Sequence, residues 1–330
     1  MQRLLGHQLW KLRPLMARRL KIGTRGSKLA LWQANWVKQA LETTHTSEKV
    51  DLVIIKTKGD KITDVPLAQV GGSALFVKEL EQALQDERID IAVHSMKDMP
   101  SAIAGGLRIG AVPLRESPRD ILISKDGIPF EKLAPNARIG TSSLRRQAQL
   151  LHRRPDLSMV SLRGNLDTRM RKLETEDMDA IIVAAAGVKR LGFENRITQY
   201  LDEALMLPAV GQGALCVEIR ENDTHAGNLV AHLDHPITHL TIRAERAFLR
   251  KLGGSCQVPM AALGTIENDR IALQGRVASL DGKRIVQDAV SGPADDPEKL
   301  GNLLADRLIA DGADDILKEI LSETTCHDKR

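Results

Sequence analysis

From residue 20 onward the chain alternates short apolar runs with amphipathic ones, and that rhythm admits few folds. "LKIGT" (20–24) reads as a strand, and "SKLALWQANWVKQALE" (27–42) as a helix with Ser27 as its N-cap. "VDLVIIKT" (50–57) is a second strand and "ALFVKELEQALQDE" (74–87) a second helix. "IDIAVHSM" (89–96) is nearly all apolar, as a buried parallel strand should be. After the Pro-bracketed stretch "VPLRESPRD" (112–120) the alternation restarts: "ARIGT", "SLRRQAQLLHRR", "SMVSL", "NLDTRMRKLE" and "DAIIVAAAG" give strand, helix, strand, helix, strand. "LPAVGQGALCVEIR" (207–220) is a second crossing. We therefore expect two doubly wound α/β lobes with a cleft between them. The remainder, about 236–325, reads as a helix, the strands "RIALQGRVAS" and "KRIVQDAV", and further helices: a smaller α+β domain.

Bulk properties fit this plan. At 330 residues the chain exceeds what one core can organise, so two or three domains are expected. Aromatic residues make up only 2%, so the core must be aliphatic, and a stacking platform for single-stranded nucleic acid is disfavoured. The net charge of +4 does not by itself imply nucleic acid. Cys216, Cys256 and Cys326 are odd in number and lack C-x-x-C spacing, which argues against disulfides and structural zinc and for a reducing compartment. No run reaches the roughly 18 apolar residues of a membrane span. The first twenty residues carry five Lys/Arg and no acid. They read either as an organelle-targeting segment or as a disordered extension upstream of Met16, and we take the second reading, which places the protein in the cytoplasm.

Residues 138–171 hold eight arginines, no lysine, and the two acids Asp156 and Asp167. Arginine's planar fork suits carboxylate or phosphate, whereas a generic solvated face would mix in lysine. An ordinary basic surface accounts for Arg153 and Arg154. It accounts less well for Arg145 and Arg146 after "GTSS", or for Arg163 in "SLRGN", because open α/β sheets bind ligands at such strand ends. "GTRGS" (23–27) repeats the design with Arg25 and Ser27. Together these imply a polyanionic ligand. In "VHSMKDMP" (93–100), Lys97 and Asp98 share a strand end. Asp98 either neutralises the cations around it or faces a developing positive charge and exchanges a proton. His94 lies inside the strand as a hydrogen-bonded core histidine. In "LGGSCQVP" (252–259) two glycines strip side chains from the approach to Cys256, which suits a thiol that something must reach; small filler at a turn is the bland alternative. The chain lacks a phosphate P-loop, a dinucleotide fingerprint and metal-ligand spacing.

"TRGSKLALWQA", "VHSMKDMP", "GTSSLRRQ", "SLRGNLDTR", "LPAVGQGA" and "GGSCQVP", in this order, resemble the hydroxymethylbilane synthases, also called porphobilinogen deaminases, over about residues 20–325. The resemblance implies two lobes like type 2 periplasmic binding proteins plus a small α+β domain. The bounds would be 20–113 with 214–234, then 119–207, then 236–325, with residues 1–19 outside. It implies stepwise deaminative condensation of four porphobilinogen molecules on a covalent dipyrromethane primer, and hydrolytic release of the linear tetrapyrrole. The primer's thioether matches Cys256 and the catalytic acid matches Asp98. Arg25, Ser27, Lys97, Thr141, Ser142, Ser143, Arg145, Arg146, Arg163, Arg169 and Arg190 match carboxylate-binding positions. Phe76 would pack on a pyrrole ring or serve the core. Cys216 would be core and Cys326 inert. The crossings near 113–119 and 207–214 are candidate hinges. A monomer is expected, with no nucleic acid or membrane partner. Without the resemblance, a two-lobed solute receptor would rank first and an arginine-driven nucleic-acid binder would remain in play.

Overall fold

The computed structural model describes residues 19–57, 77–254 and 258–327. The expected helix start at 74–76 with Phe76, the extension over 1–18, and Cys256 lie outside the described residues. β1 (Leu20–Thr24) leads to α1 (Lys28–Thr44), where the Ser27 side chain accepts from the Ala30 amide as expected of an N-cap. Gln33, Ala34, Val37 and Leu41 form the buried stripe of this helix, at the three- and four-residue spacing of one face. β2 (Val50–Ile54), α2 (Lys78–Gln85), β3 (Ile91–Ser95) and β4 (Leu107–Ala111) follow.

The chain then crosses and continues as β5 (Asp120–Ser124), β6 (Arg138–Gly140), α3 (Leu144–Arg153), β7 (Ser158–Val160) and α4 (Leu166–Thr175). β8 (Ala180–Ala184), α5 (Ala185–Arg190) and β9 (Gln199–Tyr200) complete this pass. It returns as β10 (Leu215–Arg220) and α6 (Thr224–Val230). The last part comprises α7 (Pro236–Lys251), β11 (Met260–Glu267), β12 (Arg270–Ala278), β13 (Ile285–Pro293), α8 (Pro297–Ala310) and α9 (Ala313–His327).

Two five-stranded sheets, ordered β2-β1-β3-β10-β4 and β7-β6-β8-β5-β9, share one plan. Three parallel strands are followed by one antiparallel strand that has just arrived from the other lobe: β10 beside β3, and β5 beside β8. The third sheet is the antiparallel meander β11-β12-β13. The α/β class expected from the alternation holds, with refinements. β3 is parallel only to β1 and antiparallel to β10, because an apolar run reports burial on both faces and not strand direction. β4, β5, β9 and β11 are strands that the sequence reading did not assign. β5 shows why the second sheet has a core on each face: Leu122 joins one cluster while Ile121 and Ile123 join the other.

The two crossings run side by side. The Glu116 amide donates to the Gly213 carbonyl at 3.2 Å. Gly213 has φ +90°, and a Cβ there would lie 2.2 Å from the Glu116 carbonyl oxygen, so only glycine fits. This is what requires the second glycine of "GQG" (211–213).

Candidate active site

Parallel strands release their side-chain chemistry at their C-terminal ends, and both sheets aim those ends at one region. β3 ends in a single 3-10 turn, Met96–Asp98, that presents Lys97 and Asp98, both half-buried. β6 ends in the Thr141–Ser143 loop that opens α3 with Arg145 and Arg146. β7 leads to Arg163, and α4 carries Arg169. Because β5 is antiparallel to β8, its first residue pairs with β8's last, Asp120 with Ala184. That register delivers Asp120 to the same end of the sheet.

Asp120 is the residue that the sequence reading missed. It is fully buried, with Arg145 Nη1 2.7 Å from Oδ2 and Arg146 Nη2 2.7 Å from Oδ1. Arg146 also donates from Nε to Oδ1 at 2.9 Å and from Nη1 to the Ile182 carbonyl at 2.9 Å. Arg145 Nη1 donates to the Leu207 carbonyl at 2.8 Å. Burial alone would raise the Asp120 pKa, but Arg145, Arg146 and Lys97 outweigh it and hold the carboxyl well below the usual range. A lone acid opening the apolar run "DILIS" was the available signal.

The remaining cations share this field. Burial pushes the Lys97 ammonium down to about 8, helped by Arg146 and Arg145 and opposed by Asp98 and Asp120. Its Nζ donates to Gln212 Oε1 at 3.4 Å, and Gln212 is itself buried, with Nε2 on the Pro118 carbonyl at 2.7 Å. Arg169 is pushed down to about 10 by burial and by Arg146 and Arg163, with Asp98 opposing. Its Nε donates to the Gly164 carbonyl at 2.8 Å. Lys97, Asp98, Asp120, Arg145, Arg146, Arg163 and Arg169 therefore form one interacting cluster of five cations and two carboxylates.

The other expected positions divide. Thr141 is buried and its hydroxyl accepts from the Ser143 amide at 3.2 Å. Ser142 Oγ donates to the Leu162 carbonyl at 2.9 Å, tying the β6 and β7 loops together. Ser27 Oγ is used by its own helix, and Arg25 is half-buried beside it. Arg190 is held at the second crossing. Its Nη2 donates to the Gly213 carbonyl at 2.7 Å, its guanidinium lies 5.8 Å from the Trp32 ring centroid, and burial pushes it down to about 10 against the pull of Glu116. It links α5, α1 and the second crossing.

The histidine and cysteine readings have structural answers. His94 Nε2 lies 3.0 Å from Glu218 Oε2, both buried, as expected of a core histidine. Cys216 is fully buried, and burial with Glu218 raises its thiol pKa, which disfavours the thiolate. Cys256 itself is outside the described residues, but its flanks are clear. Gly253, at φ +65°, ends α7 in the left-handed conformation, and a Cβ on Gly254 would lie 2.9 Å from the Leu249 carbonyl oxygen. The glycines therefore serve helix termination and close packing, a local reason that the reading as a cleared approach did not include.

Two α/β lobes joined by a double crossing, with a cationic cluster at their strand ends and half-buried Asp98 within it, define an enzyme-like scaffold with a site that attracts anions. Sequence comparison identifies which one. The profile described as "Porphobilinogen deaminase, dipyromethane cofactor binding domain" matches residues 20–228, and that of the "Porphobilinogen deaminase, C-terminal domain" matches 239–310. The porphobilinogen deaminase of Syntrophotalea carbinolica is 56% identical over 90% of this chain and 95% of its own. That of Pelobacter propionicus is 54% identical over 92% and 97%, and that of Geobacter sulfurreducens 53% over 94% and 98%. A solved substrate-binding domain of a putative molybdenum transporter from Clostridium difficile is 10% identical over 65% of this chain and 91% of its own, with a TM-score of 0.40. The chain belongs to the porphobilinogen deaminase family. It is a transferase of tetrapyrrole synthesis with a dipyrromethane cofactor domain.

Proposed function

We propose that the cluster around Asp120 binds the acetate and propionate groups of the primer and growing chain, and that Asp98 is the proton-handling catalytic residue. The observation that carries this is the contrast between the two carboxylates. Asp120 is fully buried and spent on Arg145 and Arg146, while half-buried Asp98 acts on Lys97 and Arg169 from a more open position. Two acids in one site with different surroundings divide the work between them.

The residues fit the cofactor. Dipyrromethane has two pyrroles, each bearing an acetate and a propionate, and five cations against two carboxylates leave an excess to receive them. Arg145, Arg146, Arg163, Arg169 and Lys97 would hold those groups, with Arg25, Ser27, Thr141, Ser142, Ser143 and Arg190 at the margin and Cys256 as the attachment point. When bound, the cofactor supplies a terminal pyrrole carbon as the nucleophile toward porphobilinogen. Asp98 would hold the pyrrole N–H donors, offset the positive charge that develops as ammonia leaves, and take up the proton released on coupling. Lys97 and Arg169 are the cations that interact with Asp98 there. One carboxylate that serves every cycle requires relative movement, for which the paired crossings at 113–119 and 207–214 are our candidate hinges.

The three-domain division at 20–113 with 214–234, 119–207 and 236–325 belongs to the same proposal, as do a monomeric state, a cytoplasmic location and the absence of a nucleic-acid partner. Among the described residues no helix is long and apolar enough to cross a membrane. The test is Asp98→Asn in the primed enzyme. Turnover should fall by about a hundredfold or more with the covalent primer retained, the range expected of a lost acid–base group. Wild-type turnover by this variant would overturn the assignment.

A further inference from the structure

Gln149 sits on α3 one turn beyond Arg145, is buried, and has its amide fully committed. Its Nε2 donates to the Leu207 carbonyl at 3.1 Å and to the Arg145 carbonyl at 3.2 Å, and its Oε1 accepts from the Leu207 amide at 2.9 Å. The second acceptor position of Oε1 is taken by Arg276 Nη1, from β12 of the third sheet, at 2.6 Å. Leu207 opens the second crossing, and its carbonyl is also the acceptor for Arg145 Nη1. Arg276 is braced in turn by Gln287 Oε1 at 3.0 Å and the Ala204 carbonyl at 3.1 Å. An unbroken path of hydrogen bonds thus runs from the third sheet through Gln149 and Leu207 to a guanidinium of the anion cluster.

We infer that Arg276 and Gln149 are positioning residues that set where Arg145 stands relative to the third domain, whose sequence includes the proposed attachment residue Cys256. Arginine has donors only, so Arg276 dictates that the amide oxygen of Gln149 faces β12. The amide nitrogen is thereby aimed at Leu207, and the crossing is clamped to α3 in the register that lets Arg145 reach both Leu207 and Asp120. His152 Nδ1, 2.8 Å from the Gly282 carbonyl, is a second tie between α3 and the third domain, but this bond involves neither Leu207 nor Arg145. Of these two ties from α3, the Arg276–Gln149 contact is the one hydrogen-bonded through to Leu207 and Arg145. This inference rests on the reading of Arg145 as a carboxylate-binding residue.

The experiment is intact mass spectrometry of the primed enzyme under limiting porphobilinogen, which counts molecules carrying one, two or three added pyrroles, together with kcat. Arg276→Met removes the donor and keeps the bulk. It should shift the ratios of partly extended forms at least threefold and lower kcat severalfold among folded, primed molecules. Arg276→Gln, too short to reach Gln149, should do the same and serves if the first variant does not fold. His152→Ala should keep wild-type ratios. Loss of stability alone would reduce the folded fraction without changing the ratios within it. Wild-type ratios in the Arg276 variants, or an equal shift in His152→Ala, would overturn the inference. Arg145→Leu, run in parallel, separates the premises. Unchanged ratios there would remove the carboxylate role of Arg145 and this inference with it, whereas a shift there but not in Arg276→Met would remove this inference alone.

Discussion

Arg115 and Glu245, 130 residues apart, form a two-pronged ion pair, with Glu245 fully buried, that fastens both crossings to the third domain. Glu245 on α7 also accepts from the Gly211 amide at 2.7 Å and the Gly264 amide at 2.9 Å, so one carboxylate binds the first crossing, the second crossing and β11. Arg115 Nε adds a 2.8 Å bond to the Gln212 carbonyl. Removing one partner leaves a buried charge and orphaned amides. Glu245→Ala should lower the unfolding free energy by about 3–5 kcal/mol. Urea unfolding followed by circular dichroism measures it, and a loss below about 1 kcal/mol, the scale of an exposed pair, would contradict the bracing role.

Asp120 makes a pH-dependent prediction whose sign follows from its pKa. The folded-state value is held below the ordinary one, so its contribution is fully present above about pH 4 and is lost as the pH falls toward the folded-state value. Asp120→Asn should therefore be markedly less stable than wild type at pH 7. The gap should narrow as the pH is lowered below about 4. Unfolding curves for both proteins across that range check it, and a gap that is constant with pH would show that the carboxylate charge is not the source.

Lys97 titrates in an accessible range. With its ammonium pushed down to about 8, primer loading onto cofactor-free protein should weaken as the pH rises past about 8. Thiol reactivity moves the opposite way, because the thiolate grows with pH. A fall in loading is therefore attributable to the lost cation and not to Cys256. Lys97→Arg should carry the limit upward, since a guanidinium stays charged. Mass spectrometry of the loaded fraction from pH 7 to 9.5 provides the readout, and loading that rises through the whole range would refute the role.

Cys256 is the proposed attachment point. Cys256→Ser should fold, carry no covalent dipyrromethane, and make no product, because a hydroxyl lacks the nucleophilicity of a thiolate. Cys216→Ser should keep the primer while losing stability, for its side chain is fully enclosed in an apolar cluster. Peptide mapping that placed the adduct on Cys216 would overturn the assignment.

The basic surface offers a control for the cleft. Arg153 is exposed on α3, seven residues beyond buried Arg146. Arg153→Leu should leave turnover within twofold of wild type, while Arg169→Leu should cut it by about tenfold or more, the worth of one charge-assisted bond at 1.5–3 kcal/mol. Equal, modest defects from a steady-state assay would mean that the arginines act as a generic field.

The local features were determined by the sequence: the α/β rhythm, the Ser27 cap, the burial of His94 and Cys216, and the strand-end positions of Lys97, Asp98, Arg145 and Arg146. Each follows from chemistry within a few residues, namely side-chain periodicity, a hydroxyl before a helix, or a cation after a strand. The tertiary structure decided strand direction and partnership. β5 and β10 arrive antiparallel from the opposite lobe, and only that register carries Asp120, some 25 residues before Arg145 and Arg146 in the chain, into contact with both. It also decided that Arg190 reaches the Gly213 carbonyl of the second crossing. A run of apolar residues encodes that a strand is buried but not what lies beside it, because pairing energy comes from backbone hydrogen bonds that are common to every residue.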